Sequence, residues 1–169
     1  APAEKCPLPD ASVDLVTVAQ ALHWFDFDRF YAEAKRVLKP GGAIAVWCYD
    51  FHSVGADLDH LLARLQDEFI SPYWPPERKY VAAGYRNIPF PFTDVPTPPL
   101  TMTVQWTLAR LLAYMNTWSA TKRFTKAHGF NPVDHLEPEF AAAWGESDSL
   151  RTVSYRLSVR VGQEFGHEE

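Results

Sequence analysis

The chain has 169 residues, 47% hydrophobic and 14% aromatic, enough for one domain with a real core and too apolar for a mainly disordered one. A formal net charge of −5 without any Lys/Arg cluster gives no support to a nucleic-acid surface. No apolar run reaches membrane-spanning length. The two cysteines, Cys6 and Cys48, fit a reduced interior better than a disulfide framework, so the expected location is cytoplasmic.

Ala1 to Asp10 is a loop punctuated by Pro2, Pro7 and Pro9. Val13 to Ala19 is short and valine-rich, the pattern of a strand buried on both sheet faces. From Phe27 the period changes. Phe27, Phe30, Tyr31, Ala34, Val37 and Leu38 form one helical stripe, with Asp26 or Asp28 as its cap. Lys35, Arg36 and Lys39 fall where a helix C-terminus favours cations. Pro40 and Gly41-Gly42 predict a turn, and Ala43 to Tyr49 a second strand. Strand, helix and strand in so few residues predict a right-handed βαβ crossover between parallel neighbours. A sheet that starts at Val13 carries an apolar strand on its edge, an aggregation hazard.

Ser53 is placed to cap a helix with the stripe Leu58, Leu61, Leu62, Leu65, Phe69 and Ile70, expected to cover the sheet with one face. Tyr73 to Pro99 (residues 73–99) is rich in proline and aromatics, too apolar for a linker and too proline-rich for a central strand. It reads equally well as a lid-like substrate wall or as an irregular segment packed on the core. Thr101 to Trp106 has strand character. Leu108, Leu111, Leu112 and Met115 form a helix face behind a Thr107 cap, and Gly129 ends the next helical piece. Asn131-Pro132 opens another helix, which Pro138 is expected to break or restart before Phe140 to Trp144. Val153, Tyr155, Leu157, Val159 and Val161 alternate with polar residues, as in a strand with one solvated face. Gly166 to Glu169 is expected to fray. No internal repeat or second domain is evident.

In an open parallel sheet, ligands bind beyond the carboxyl ends of the strands, here Gln20 to Trp24 and Tyr49 to His52. The first stretch is aromatic and polar where a plain turn would carry Gly, Asn or Ser. Packing of His23, Trp24 and Phe25 over the sheet rim is an equally open reading. A Gly-x-Ser-x-Gly elbow is absent, and the six histidines show no paired metal-ligand spacing.

Ala3-Glu4, Pro7-Leu8-Pro9-Asp10, Ser12-Val13-Asp14, Leu22-His23-Trp24 and Arg36-Val37-Leu38-Lys39-Pro40-Gly41-Gly42 resemble the second half of a class I S-adenosylmethionine-dependent methyltransferase domain. Tyr73 to Arg78 and Tyr114 with Thr117 to Ala120 are similar to small-molecule methyltransferases related to trans-aconitate methyltransferase. The resemblance implies an α/β, Rossmann-like fold with parallel strands, a C-terminal antiparallel strand and helices on both faces. Such enzymes carry a glycine-rich cofactor loop and three strands ahead of this point, and no Gly-x-Gly-x-x-Gly occurs here. The expectation is therefore that residues 1–169 are the C-terminal part of a single methyltransferase domain, incomplete at the N-terminus, with the fragment alone inactive. S-adenosylmethionine is the implied cofactor. By resemblance Ala3 and Glu4 meet the adenine end, with Pro2 standing where many relatives have an acid. Gln20, Ala21 and His23 meet the methionine end. Trp24, Trp74, Arg78, Trp118 and Ser119 face a small-molecule acceptor, with a carboxylate among the candidates, since Arg78 suits an anion. For Trp118 a buried anchor and for Arg78 a surface cation are equally open. No residue is assigned as catalytic, and no metal, nucleic acid or membrane partner is expected. A methyltransferase-like binding module without cofactor is the alternative from another class.

Overall fold

The computed structural model describes residues 1–164; the frayed end expected at Gly166 to Glu169 lies outside the described residues. The chain divides into two compact units. The first comprises Ala1–Asp50, Glu77–Leu100 and the chain from Arg156; the second comprises Phe51–Pro76 and Thr101–Tyr155.

The first unit is built on β1 (Val13–Ala19), α1 (Phe27–Val37) and β2 (Leu38–Tyr49). β1 and β2 pair in parallel, from Leu15↔Ala43 to Ala19↔Trp47. The helix between them follows its stripe: Phe30, Tyr31, Ala34 and Val37 are buried, and the Asp26 carboxylate caps it by accepting the Arg29 N–H at 3.2 Å. β2 starts earlier than the glycine pair suggested. Val13 pairs with Leu38, and the register then shifts, so the Pro40-Gly41-Gly42 segment bulges within the strand. Lys39 is thus a strand residue, and its ammonium pairs with Asp14 at 2.9 Å instead of a helix end.

β5 (Arg151–Gln163) lies antiparallel to β2, and β3 (Thr93–Val95) lies antiparallel along the other side of β5. The order β1-β2-β5-β3 leaves β1 at an edge. This corrects the expectation of a strand buried on both faces: along β1 only Val18 is buried, while Leu15 is 54% exposed. The strand buried along its length is β2, with Ile44, Val46 and Cys48 at 1% exposure or less. Tyr85 and Ile88, from the proline- and aromatic-rich stretch, join this core, and Phe90 and Phe92 pack against it. Gly162 makes room for them, since a Cβ there would lie 2.6 Å from both the Phe90 ring and the Phe92 Cβ.

The second unit is mainly helical: α2 (Ala56–Arg64), α4 (Leu108–Asn116), α5 (Ser119–His128) and α6 (Pro132–Trp144), with β4 (Leu100–Trp106) paired to β5. α6 is its hub, burying Val133, Leu136, Phe140 and Trp144 against α2, α4 and α5. α2 therefore packs on a helix, where the sequence suggested the sheet. The cap of α2 also differs. Gly55 occupies the N-cap, and the Asp59 carboxylate accepts from the Ser53 hydroxyl at 2.6 Å and the Val54 N–H at 2.8 Å. A π-helical turn, Leu65–Ile70, follows and brings Gln66 inside. Pro138 does not break α6. It sits on the exposed face, where water can meet the freed carbonyl, and burial of the four apolar residues around it outweighs the cost of about 3 kcal/mol for a helical proline.

Candidate active site

At the end of β1 the backbone turns away through Gln20, which takes a left-handed φ of +52°. For a residue other than glycine this costs about 1–3 kcal/mol, and local hydrogen bonds offset it. The Gln20 N–H donates to the Trp47 carbonyl at 2.9 Å. Its carboxamide then bonds both ways to Tyr49, donating to the carbonyl at 3.0 Å and accepting the N–H at 2.8 Å. The side chain thus extends the ladder after the main chain has left it.

The released chain forms a short 3₁₀ turn, Leu22–Trp24, with Ala21 before it. Leu22 anchors the turn in the core, and His23 is buried beside it. Trp24 is left 58% exposed, its ring 4.8 Å from that of His23. The His23 Nδ1 lies 2.8 Å from the Tyr85 hydroxyl. Burial lowers the proton affinity of His23, and the nearby Arg78 charge lowers it again against a smaller opposing effect of Glu77. The imidazole is therefore neutral at neutral pH.

Arg78 opens α3 (Arg78–Ala82), and its guanidinium donates to the carboxylate of Asp50, just beyond β2. With a side chain only 17% exposed, it is a held ion-pair partner, not the surface cation considered above. Cys48 is fully buried, and desolvation pushes its thiol up to about 12, so it is a core residue without nucleophilic character.

The amino-terminal loop is pinned onto α1. The Glu4 carboxylate accepts the Asp26 N–H at 3.1 Å, and the Glu33 carboxylate accepts the Cys6 N–H at 2.8 Å. Arg36 binds Glu33 and Asp10, which together with the Cys6 amide holds the Glu33 carboxyl down at about 2. Between this loop, β1 and α1 runs a groove of about 400 Å³ lined largely by apolar side chains, among them Ala3, Val16, Ala21, Phe25 and Phe30.

The remaining candidates lie in the second unit. Trp74 and Trp118 pack together at 5.8 Å between ring centroids, and Phe51 meets them at 6.1 and 5.6 Å. Trp74 donates its indole N–H to Gln66 at 3.0 Å, and Ser119 is exposed at the start of α5. Trp118 is half-buried and packs against the rings of Phe51, His52, Trp74 and Tyr114. Ala3, Glu4, Gln20, Ala21, His23, Trp24 and Arg78 all belong to the first unit. Sequence reasoning missed Tyr85 and Asp50. Neither has a local signal, because Tyr85 meets its partner 62 residues away and Asp50 reads as an ordinary residue after a strand. Among the described residues no cluster of His, Cys, Asp and Glu is arranged to hold a metal ion, and no helix is long and apolar enough to cross a membrane.

A parallel strand pair with a built rim at its carboxyl end defines an α/β domain of Rossmann-like type. The family profile described as "Methyltransferase domain" matches residues 1–46, the stretch that carries this pair. A solved structure from Anaeromyxobacter dehalogenans, assigned as a type II methyltransferase, is 40% identical with a TM-score of 0.92, covering 99% of this chain and 71% of that one. A Dictyostelium discoideum protein assigned to the methyltransferases is 31% identical over 153 residues, 86% of this chain. An uncharacterized methyltransferase of Mycobacterium tuberculosis is 56% identical over 46 residues, 27% of this chain. The chain spans 57% of the length of the Dictyostelium relative and 19% of the mycobacterial one. The chain belongs to the class I S-adenosylmethionine-dependent methyltransferase family.

Proposed function

We propose that the protein containing this chain transfers a methyl group from S-adenosylmethionine to a small-molecule acceptor, and that the first unit supplies one side of the cofactor site. The observation that carries this reading is the rim itself. Gln20 is locked to Tyr49 across the ends of two parallel strands, which fixes Ala21, His23 and Trp24 where an α/β sheet takes its ligand. The groove beside β1 fits the cofactor, for its apolar walls and volume of about 400 Å³ suit a flat base. Ala3 and Phe25 would hold the base, Ala21 would lie toward the methionine end, and His23 would offer a neutral hydrogen-bonding group at the rim. When bound, the cofactor supplies an already activated methyl group, so the protein's work is alignment and exclusion of water.

Trp24 and Arg78 in the first unit, and separately Trp74, Trp118 and Ser119 in the second, remain acceptor-side candidates. Asp50 changes what is expected of Arg78. Its charge is already matched, so a carboxylate acceptor would have to share the guanidinium with Asp50, and an uncharged or apolar acceptor fits that balance better. The test is calorimetric titration of the intact protein with S-adenosylmethionine, followed by assay of methyl transfer to acids and to neutral acceptors of similar size. Saturable heat and turnover support the proposal. Absence of both heat and a thermal shift would overturn it in favour of a binding module without cofactor.

A further inference from the structure

His23 is held by a residue outside the rim. Tyr85 is 1% exposed, and its hydroxyl lies 2.8 Å from Nδ1 of His23. The backbone around it is unusual. Gly84 and Tyr85 are consecutive left-handed residues, with φ of +58° and +59°. Glycine adopts this freely, but a bulky aromatic does so only where its surroundings over-determine it. Here the Tyr85 N–H closes on the Tyr80 carbonyl at 2.9 Å and the Gly84 N–H on the Val81 carbonyl at 2.8 Å, ending α3. A Cβ at position 84 would lie 2.5 Å from the Ser158 hydroxyl, so the turn is pressed against β5. The result is a phenol delivered from 62 residues away into the interior behind the rim.

The direction of that hydrogen bond follows from what the hydroxyl can reach. Tyr85 is 1% exposed, and among the described residues Nδ1 of His23 is the hydrogen-bond partner of its hydroxyl, while burial strengthens the hold of the phenol on its proton. A buried O–H needs an acceptor, so the phenol donates and Nδ1 accepts. A neutral imidazole that accepts at Nδ1 carries its proton on Nε2.

We propose that Tyr85 is a positioning residue of the methyl-transfer site: it fixes His23 as the neutral Nε2–H tautomer and so makes the rim imidazole a hydrogen-bond donor. The proposal rests on the functional reading above for its role, though not for its chemistry. The charged and titratable groups around the pair are consistent with a fixed neutral ring. Arg78 opposes protonation of His23, Glu77 favours it weakly, and Asp50 is engaged by Arg78. Tyr31 and Cys48, on the elements packed behind Tyr85, are both held protonated by burial, at about 12 each.

The experiment is nitrogen NMR of the intact protein with 15N-labelled histidine, in the wild type and in Tyr85→Phe. In the wild type the His23 nitrogens should show protonated Nε2 and unprotonated Nδ1, unchanged across the neutral range. In Tyr85→Phe the ring should become a mixture of tautomers and start to protonate at higher pH, because Nδ1 is free to take a proton. Turnover should fall roughly three- to tenfold, the factor that one uncharged hydrogen bond corresponds to, with little change in cofactor affinity. A wild-type ring protonated on Nδ1 overturns the proposal, and that measurement needs no variant to fold. Unchanged nitrogen shifts and turnover in a stably folded Tyr85→Phe overturn it equally. The tautomer is read without cofactor, so failure of the methyltransferase reading appears separately, as absence of binding in the calorimetric titration.

Discussion

Among the described residues each unit buries one histidine, and the two are held differently. His23 has Nδ1 committed to Tyr85, whereas Nδ1 of His52 is buried without a hydrogen-bond partner among the described residues. The His52 ring is surrounded by Tyr114, Trp118 and Tyr155, with centroids 5.9, 6.0 and 5.7 Å away. Burial lowers the proton affinity of both, and it takes His52 to about 4 against a weak opposing effect of Asp59. Burial alone keeps a ring neutral; a partner decides which nitrogen bears the proton. The unpartnered ring of His52 is a packing device. The partnered ring of His23 lies on the rim, which is why the rim, and not the aromatic cluster of the second unit, carries the functional proposal.

The largest expected effect breaks the scaffold side of that contrast. Trp144→Ala empties a side chain 1% exposed at the hub of the second unit and should cost about 3–5 kcal/mol in urea denaturation. Trp24→Ala, at an exposed ring, should stay within about 0.5 kcal/mol and act on turnover instead.

The pH dependence of stability comes next. An unfolded histidine binds its proton near pH 6.5, and folded His52 near 4, so between those values the unfolded state holds more protons. Stability should therefore be fully present above pH 6.5 and fall on acidification toward pH 4, by on the order of 3 kcal/mol. His52→Phe should flatten that slope in thermal melts at pH 4 to 7 while leaving stability at pH 7 within about 1 kcal/mol. A smaller effect probes the sheet: Gly162→Ala drives a Cβ into Phe90 and Phe92 and should cost about 1–3 kcal/mol.

The parallel pair was legible in the sequence because its signals are local. Valine-rich runs, a 3.6-residue stripe and the Asp26 cap all act within a few residues of one another. The rim was legible as a stretch, since His23 and Trp24 stand out where a plain turn would be polar and small. What was not legible depends on distance along the chain. Tyr85 reads as one aromatic among several in a proline-rich segment until the fold carries it to His23. Gln20 gives no sign that its carboxamide will stand in for a strand residue. The exposure along β1, where only Val18 is buried, depends on which elements cover its faces, and valine content alone cannot show that. Local propensity alone breaks the helix at Pro138, and the burial of Val133, Leu136, Phe140 and Trp144 around it overrides that propensity.

The most direct test of the account follows the two histidines together while S-adenosylmethionine is added to the intact protein. The ring nitrogens of His23 should shift along one saturating curve while those of His52 stay in place. A response at His52 with His23 unmoved, or none at either ring at saturating cofactor, would contradict the assignment of the rim.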